Sequence, residues 1–215
     1  MGRGLGHTPR MQYDRNPPLL EATLAPEPLD QLEAWMADAR AAGQIEPTAM
    51  ALATATPDGQ PSVRIVLFKG FHAGGLTFYT DYEGRKGREL AANARVSAVF
   101  WWDRLERQVR VEGAVERLPR EVSRAYFESR PRESQIGAIT SRQSEVVASR
   151  ETLDARYAAN EAALAGQPVP LPDRWGGYRL VPEAIEFWQG RLGRLHDRLR
   201  YRRAGGAWVV ERLEP

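Results

Sequence analysis

The first 27 residues carry glycine, proline and scattered charges without a regular apolar repeat. Such a segment can bury little surface, so residues 1–27 are predicted to form a mobile N-terminal arm. Apolar side chains then recur at helical spacing over residues 29–42, with Pro28 before them and Gly43 after them. A periodic segment that starts at proline and stops at glycine predicts a helix.

From residue 49 onward the apolar spacing changes to that of strands. Val109 and Val111 alternate with Arg110 and Glu112, for example, and the turn sequence PDG separates two other such segments. Strands are predicted at 49–56, 62–69, 76–80, 96–102, 108–118, 178–181, 185–189, 196–203 and 207–213. Helices are predicted at 85–94, 119–129 and 144–164, and a proline-rich linker near 166–174. Nine strands with mostly short connections favour a closed antiparallel barrel with helical additions, an α+β fold.

The composition excludes several kinds of chemistry. The 215 residues include no cysteine, which excludes disulfides, thiolate nucleophiles and zinc–thiolate sites. The histidines His7, His72 and His196 are far apart in sequence, so no metal site is expected. The chain has no apolar run of about 18 residues and no signal-peptide pattern, so a cytoplasmic location without a membrane partner is expected. A net charge of +2 does not favour nucleic acid as a partner.

Two of the 30 basic residues are lysines, Lys69 and Lys86, and the other 28 are arginines. In a chain that favours arginine this strongly, a lysine points to a position that needs a compact ammonium group. Lys69 lies five positions after Arg64 along a predicted strand, which is an odd spacing. The two side chains are therefore expected to face opposite sides unless the strand ends or bulges before Lys69.

A cluster suited to phosphate lies where a predicted strand leads into a predicted helix. Arg85 and Lys86 stand in the first turn of that helix, where each cation opposes the macrodipole at a cost of ~0.3–1 kcal/mol. A bound phosphate would reverse this cost, because the backbone N–H groups, the dipole and both side chains would favour it. The alternative is that Asp81 and Glu83 neutralise the two cations.

Tyr126, Arg130 and Ser134 form a second set of donors for phosphate. Tyr126 and Arg130 are one helical turn apart and share a face, and Ser134 follows the break at Pro131. The alternative is an ordinary surface helix. Two clusters suited to phosphate imply two phosphorylated small molecules, and a planar cofactor is one candidate for them.

The densest polar segment of the chain is GRLGRLHDRLRYRR, at residues 190–203. If a strand begins at His196, positions 194, 196, 198 and 200 fall on one face, which reads Arg, His, Arg, Arg. Such a row is costly unless an anion or a negatively polarised group lies against it. A solvated basic strand is the alternative, although Phe187 and Trp188 supply a flat apolar wall just upstream.

The order of these clusters resembles one enzyme family. IEFWQG at 185–190, followed by RLHDR at 194–198, resembles the C-terminal signature of the pyridoxine/pyridoxamine 5′-phosphate oxidases, and further matches cover nearly the whole chain. The resemblance implies an FMN-binding split β-barrel, antiparallel and Greek-key-like with surrounding helices, as one domain over residues 28–215. It also implies a homodimer with FMN at the subunit interface. The implied reaction is oxidation of pyridoxine or pyridoxamine 5′-phosphate to pyridoxal 5′-phosphate by O2, releasing H2O2 and, from the amine, ammonia.

The resemblance also implies roles for individual residues. Arg194 and His196 are the implied catalytic pair, which holds the substrate's ring against the flavin. The implied FMN contacts are Arg64, Ile65, Val66, Leu67, Phe68, Lys69, Tyr79, Thr80, Arg85, Lys86, Gln108, Gln143, Ser144, Trp188 and Arg198. The implied substrate contacts are Lys69, Tyr126, Arg130, Ser134, Arg194, Leu195 and His196, together with Arg10 and Tyr13 in an arm that closes over the substrate.

Three positions depart from the family's usual pattern. Gly84 stands where serine is common, Glu46 where aspartate is usual, and Ala94 where proline is frequent. None of them changes Arg194 or His196, so oxidase activity is expected. Two alternatives stay open. One is a related split-barrel flavoprotein with a different substrate, such as a phenazine-type oxidase or a flavin reductase; the other is a non-enzymatic basic β-barrel that binds nucleic acid.

Overall fold

The computed structural model of the chain describes Tyr13 and residues 16–215. Arg10 and most of the predicted arm lie outside the described residues, so the roles implied for Arg10 remain predictions. Within the described part, residues 16–27 include a single 3₁₀ turn, Glu21–Thr23. Leu19 is buried, and its backbone N–H donates to Asp197 Oδ2 at 3.0 Å. This stretch is therefore anchored, whereas mobility stays a prediction for the residues before it.

The described residues form five α-helices and nine strands. The helices are α1 (Pro28–Ala41), α2 (Arg85–Ala92), α3 (Arg120–Ser129), α4 (Arg132–Thr140) and α5 (Arg150–Ala163). The strands are β1 (Ala49–Ala55), β2 (Pro61–Leu67), β3 (Phe71–His72), β4 (Gly75–Asp81), β5 (Arg95–Trp102), β6 (Arg107–Arg117), β7 (Trp175–Gln189), β8 (Asp197–Ala204) and β9 (Ala207–Arg212). The sheet order is β2-β1-β5-β6-β7-β4-β3, with β8 on β7 and β9 on β8. The predicted α+β class with an antiparallel sheet is confirmed.

Several predicted boundaries are wrong for identifiable local reasons. The predicted helix 144–164 begins only at Arg150, because Ser144 has a left-handed φ of 72° and Ser149 supplies the N-cap, accepting from the Thr152 N–H. Helix α4 was not predicted, since Pro131 indicated a break and is instead its N-cap. Strand β7 continues through Pro182, where two separate strands were predicted.

The described part of the chain divides into two compact units, and the first comprises the described residues up to 47, with 100–110 and 184–215. Its core forms around Trp35 of α1, whose ring lies edge-on to Phe187 with centroids 5.1 Å apart. Phe187 in turn meets the fully buried Tyr201 at 5.7 Å. The Tyr201 hydroxyl donates to the Ala25 carbonyl at 2.6 Å, which ties the segment before α1 to β8.

The second unit comprises residues 48–99 and 111–183. Phe127, Ile136, Val169 and Trp175 form a buried cluster that joins α3, α4, the linker before β7 and the start of β7. The Arg174 guanidinium donates to three carbonyl oxygens at the end of α4, at 2.9–3.1 Å, and so caps that helix. Strand β4 pairs with β7 from Leu76 to Asp81, which places Tyr79 and Thr80 beside this cluster.

None of the helices in the described part of the chain is long and apolar enough to cross a membrane. Among the same residues, no group of three or more histidine, aspartate or glutamate side chains has the arrangement of a metal site.

Alanine substitutions at two helical glycines are expected to change the free energy of unfolding in opposite directions. A Cβ at Gly87 in α2 would lie 2.1 Å from the Tyr82 carbonyl oxygen, whereas a Cβ at Gly137 in α4 would meet nothing within 4 Å. Gly87→Ala should lower the free energy of unfolding by about 1–3 kcal/mol through overpacking. Gly137→Ala should raise it by ~0.4–1 kcal/mol because alanine favours helix. Urea unfolding at equal protein concentration measures both, and equal signs would contradict this geometry.

Candidate active site

A cavity of about 470 Å³ in the second unit brings together residues from two of the predicted clusters. Its lining consists of Ile65, Val66, Leu67, Lys69, Tyr79, Thr80, Lys86, Tyr126, Arg130, Pro131, Ser134, Gln143 and Trp175. Eleven of these thirteen residues are among the predicted site residues; Pro131 and Trp175 are the additions. A larger cavity of about 600 Å³ beside α5 includes one predicted residue, Ser144.

Strand β2 and the segment after it form one wall of the cavity. The strand ends at Leu67, and the backbone N–H of Lys69 donates to the Thr77 carbonyl at 2.9 Å. Lys69 therefore lies beyond the end of the strand. The alternation of side chains along a strand then does not fix the direction of Lys69 relative to Arg64, as expected for a strand that ends before Lys69. Arg64 is not among the lining residues, and Phe68 is buried against Phe71, with ring centroids 4.9 Å apart.

Lys86 is the buried cation at one end of the cavity. The residue is 8% exposed, and its Nζ donates to Thr80 Oγ1 at 2.8 Å and to Gln143 Oε1. Burial and, to a lesser degree, the charge of Arg64 lower the pKa of Lys86 to about 8, although the charge of Asp81 opposes the shift. Lys86 is therefore mostly charged at pH 7 and loses its proton as the pH rises through about 8.

Helix α2 begins at this end of the cavity without a side-chain cap of its own. Gly84 is the N-cap, and the Arg85 N–H donates to Ser144 Oγ at 3.1 Å. A Cβ at Gly84 would lie 2.8 Å from Gln143 Oε1, so the glycine leaves room for Gln143 to reach Lys86. The departure from serine at position 84 thus makes space for this amide.

Neither Asp81 nor Glu83 is the ion-pair partner of Arg85, and Asp81 acts on Lys86 only through its charge. Asp81 accepts from Arg174 Nε at 3.0 Å instead, and Glu83 is exposed. Arg85 pairs with Glu89 at 2.9 Å, one turn along α2. The i, i+4 spacing of Arg85 and Glu89 was the sequence signal for this pair, which the prediction missed.

Aromatic rings and a guanidinium form the other end of the cavity. The Tyr79 and Tyr126 rings are stacked with centroids 3.8 Å apart, and Trp175 lies nearly parallel to Tyr126 at 6.3 Å. Arg130 Cζ lies 4.8 Å from the centroid of the Trp175 ring. Trp175 was not predicted, because its place beside Arg130 depends on the pairing of β7 with β4.

Arg130 carries a buried donor without a partner. Its Nη1 is buried and makes no hydrogen bond among the described residues, and burial lowers the pKa of the guanidinium. An unpartnered buried donor is costly, more so when it is charged. An anion that accepts from Arg130 would remove this cost, so the cavity is chemically suited to a phosphate at this end. As predicted, Tyr126, Arg130 and Ser134 line the same cavity.

The remaining predicted residues lie in the first unit, where His196, Trp188 and Tyr13 form an aromatic group. The His196 and Trp188 ring centroids are 4.6 Å apart, and Tyr13 lies edge-on to both, at 5.4 and 5.7 Å. The Arg191 N–H donates to His196 Nδ1 at 3.1 Å, so neutral His196 carries its proton on Nε2. Burial lowers the pKa of His196, and the nearby charge of Arg194 lowers it further.

The predicted face of positions 194, 196, 198 and 200 on one strand is wrong. Strand β8 begins only at Asp197, because Gly193 and Arg194 have left-handed φ values of 68° and 67° and form a 3₁₀ turn. Arg198 is held by Glu186 in a bidentate pair at 2.9 and 3.0 Å. Arg200 is bonded to Glu211 at 2.6 Å. Carboxylates on neighbouring strands therefore balance the two strand arginines.

Leu195 is 75% exposed, and Gln108 is half-buried on β6.

Comparison with known proteins gives the family. Residues 36–161 match the model of pyridoxamine 5′-phosphate oxidase, and residues 175–215 match the pyridoxine 5′-phosphate oxidase C-terminal dimerisation region. A pyridoxine/pyridoxamine 5′-phosphate oxidase of Rubrobacter xylanophilus is 55% identical over 206 residues, which cover 96% of this chain and 94% of the relative. One from Acaryochloris marina is 50% identical over 201 residues, covering 94% and 92%.

Solved structures agree with this assignment. PhzG from Burkholderia lata, in complex with tetrahydrophenazine-1-carboxylic acid, has a TM-score of 0.87 and 35% identity, covering 92% of this chain and 98% of that one. A pyridoxamine 5′-phosphate oxidase-related, FMN-binding protein of Nostoc punctiforme has a TM-score of 0.72, covers 90% and 100%, and at 17% identity shows the fold alone.

The fold is that of the split-barrel flavoproteins, as the resemblance implied. The family match also shows that this protein is an oxidoreductase. More specifically, the chain belongs to the pyridoxine/pyridoxamine 5′-phosphate oxidase family. The match of residues 175–215 to the family's dimerisation region supports a homodimer.

The hydrogen bond from Arg191 and the burial of His196 predict one tautomer and a low pKa. In NMR spectra of the ¹⁵N-labelled imidazole, His196 should be neutral at pH 7, with its proton on Nε2 and a pKa below 6.5. Arg194→Ala should raise this pKa, because it removes a neighbouring positive charge. A proton on Nδ1, or a pKa that does not respond to Arg194→Ala, would contradict the geometry.

Proposed function

We propose that this protein oxidises pyridoxine or pyridoxamine 5′-phosphate to pyridoxal 5′-phosphate, with FMN as cofactor and O2 as oxidant, in the cytoplasm. The alcohol and O2 give the aldehyde and H2O2. The amine, O2 and water give the aldehyde, H2O2 and ammonia. The family assignment gives the reaction class, and the cavity of the second unit supports the choice of phosphorylated ligands.

The observation that carries the proposal is the pair of cations that line one cavity, the buried Lys86 and the half-buried Arg130. Lys86 lies in the first turn of α2, where the helix macrodipole favours an anion. Arg130 has a buried N–H donor for which the described residues supply no acceptor. Two such positions suit two phosphate esters, one belonging to the cofactor and one to the substrate.

The FMN phosphate would be held by the cations and hydroxyls near the start of α2. The members of this set are Arg64, Lys69, Thr80, Arg85, Lys86, Gln143 and Ser144. Residues 65–68 and Tyr79 would contact the rest of the cofactor, and Gln108, Trp188 and Arg198 would complete its site at the subunit interface of the homodimer. When bound, FMN supplies a two-electron acceptor for C4′ of the substrate and passes the electrons to O2.

The substrate would be held at both of its ends. Lys69, Tyr126, Arg130 and Ser134 would bind its phosphate, and each charge-assisted hydrogen bond is worth about 1.5–3 kcal/mol. Arg194 and His196, with Leu195 between them, would hold the pyridine ring. His196 has a donor at Nε2 for this purpose, because its Nδ1 is already taken by the Arg191 N–H.

Tyr13 has a direct structural reason to take part in this site. Its ring packs on His196 and Trp188, and a Cβ at Gly190 would lie 2.7 Å from Tyr13 Cδ1. Only glycine at position 190 leaves room for the tyrosine in this place. With Arg10, Tyr13 would shield the bound substrate from water, which strengthens the charged contacts.

A phenazine-type oxidase is the second candidate, because the PhzG structure matches at a TM-score of 0.87. Tyr126, Arg130 and Ser134 favour the phosphorylated substrate, since the phosphate donors would be costly to bury against a ligand without that group. Activity on tetrahydrophenazine-1-carboxylic acid, compared with pyridoxine 5′-phosphate, distinguishes the two candidates.

The purified protein should be yellow, with a flavin absorbance spectrum. With FMN bound, it should release H2O2 on addition of pyridoxine 5′-phosphate, measured by a coupled peroxidase assay. Unphosphorylated pyridoxine should react far more slowly, because it has no group for Arg130 and Lys69. A colourless protein that does not bind added FMN, or equal rates with both substrates, would contradict the proposal.

Arg130→Ala should raise KM for pyridoxine 5′-phosphate by about 10- to 150-fold, the equivalent of one charged hydrogen bond. Its FMN dissociation constant should change little. Arg132→Ala is the matched control, since Arg132 is an exposed residue of α4 that bonds the Leu164 and Gln167 carbonyls and does not line the cavity. Equal effects of the two variants on KM would remove the assigned role of Arg130.

A further inference from the structure

Glu89 is a buried carboxylate on α2, one turn after the cations at the start of that helix. The residue is 5% exposed. Its Oε1 accepts from Arg85 Nε at 2.9 Å. Its Oε2 accepts from Ser62 Oγ at 2.6 Å, from Thr54 Oγ1 and from Arg64 Nη2 at 3.3 Å. Four donors from three elements therefore converge on one side chain.

The same contacts fix the direction of the Arg64 side chain. Its Nη1 donates to Thr54 Oγ1 at 2.6 Å and to the Leu52 carbonyl at 3.2 Å, while Nη2 reaches Glu89. Burial alone would raise the pKa of Glu89, but the hydrogen bonds from Ser62, Thr54 and the two arginines outweigh it and lower the pKa to about 2. Glu89 is therefore ionised throughout the neutral range.

Glu89 also sets the charge of the surrounding cluster. Arg64, Arg85 and Lys86 carry three positive charges and Glu89 one negative charge, so the cluster has a net charge of +2. The neighbouring Asp81 is balanced by Arg174. A phosphate monoester carries about −1.5 to −2 at pH 7, which this cluster matches. Without Glu89, three cations would repel one another, and Arg64 would be held by the Thr54 and Ser62 hydroxyls and the Leu52 carbonyl without a carboxylate.

We propose that Glu89 is a positioning residue for the cofactor phosphate: it holds the guanidiniums of Arg64 and Arg85 beside Lys86 in the arrangement that binds the FMN phosphate. The inference rests on the proposed function, because it takes FMN as the ligand. Glu89 acts through the two arginines and not by contact with the cofactor. Its loss removes the orientation of two donors and, at the same time, makes the cluster more positive.

These two consequences have opposite effects on FMN binding, which makes the test decisive. Added positive charge alone would tighten the binding of a dianion. Loss of orientation would weaken it, and only for a ligand that carries a phosphate. Riboflavin is FMN without its phosphate, so it reports contacts elsewhere in the site. The ratio of the two dissociation constants therefore isolates the role of Glu89.

The experiment is a titration of the apoprotein with FMN and with riboflavin, followed by quenching of flavin fluorescence. Glu89→Gln should raise the dissociation constant of FMN about tenfold, the equivalent of one hydrogen bond to a charged group, and leave that of riboflavin unchanged. Glu83→Gln removes an exposed carboxylate near the same helix start and should change neither constant. Urea unfolding of each apoprotein reports stability separately.

Each outcome has a definite meaning. An unchanged or lower FMN dissociation constant in Glu89→Gln, or an equal loss for riboflavin, would overturn the inference and leave the proposed function in place. Failure of the unsubstituted protein to bind FMN would overturn both. If Glu89→Gln does not fold, Glu89→Asp keeps the charge but shortens the reach to Arg85. That variant should show the same selective loss for FMN, and equal losses for both ligands would overturn the inference.

Discussion

A buried cation needs either a fixed anionic partner or a ligand, and this requirement governs the arrangement of charge in the chain. Arginine supplies 28 of the 30 basic residues, so this requirement applies at many positions. In the first unit, Arg198 is matched by Glu186 and Arg200 by Glu211. In the second unit, Arg130 has aromatic rings beside it and a buried Nη1 without a hydrogen bond among the described residues. The number of arginines therefore does not indicate a ligand site. The difference in surroundings does, because Arg130 is the arginine of these three that has a donor without an acceptor.

The sequence predicted those site residues that lie within one helical turn or one strand of each other. Arg85 and Lys86 at a helix start, and Tyr126 with Arg130 one turn apart, follow from local spacing alone, and the cavity contains three of the four. Partners that come from strand pairing could not be predicted in this way. Glu186 faces Arg200 in the β7–β8 register and bonds Arg198, and no helical or alternating pattern connects residues 12 positions apart on two strands.

Backbone conformation limited the prediction at two further places. The row of basic residues from position 194 assumed a strand, but Gly193 and Arg194 adopt left-handed φ values that delay the strand until Asp197. A glycine in the sequence indicates that such a turn is possible. The arginine, which has a φ of 67°, gives no such indication, because left-handed φ values are rare for residues that have a Cβ. Ser144 delays α5 in the same way. The roles implied by the family resemblance do not depend on these local conformations. They therefore include residues that the spacing patterns did not indicate.

The two ends of the cavity differ in how they satisfy their donors without a ligand. Lys86 donates to Thr80 and Gln143, and Gly84 leaves the room that Gln143 needs. The Lys86 ammonium has three N–H donors, so a phosphate at this end can accept from the third, and it gains a further bond from Lys86 only by displacing the Thr80 hydroxyl or the Gln143 amide. At Arg130 an anion replaces nothing at Nη1 and removes an existing penalty. The gain from a phosphate at Arg130 therefore includes the relief of that penalty. Under the proposed function, the cofactor phosphate would lie at the Lys86 end, which offers more donors, and the substrate phosphate at the Arg130 end, which offers fewer.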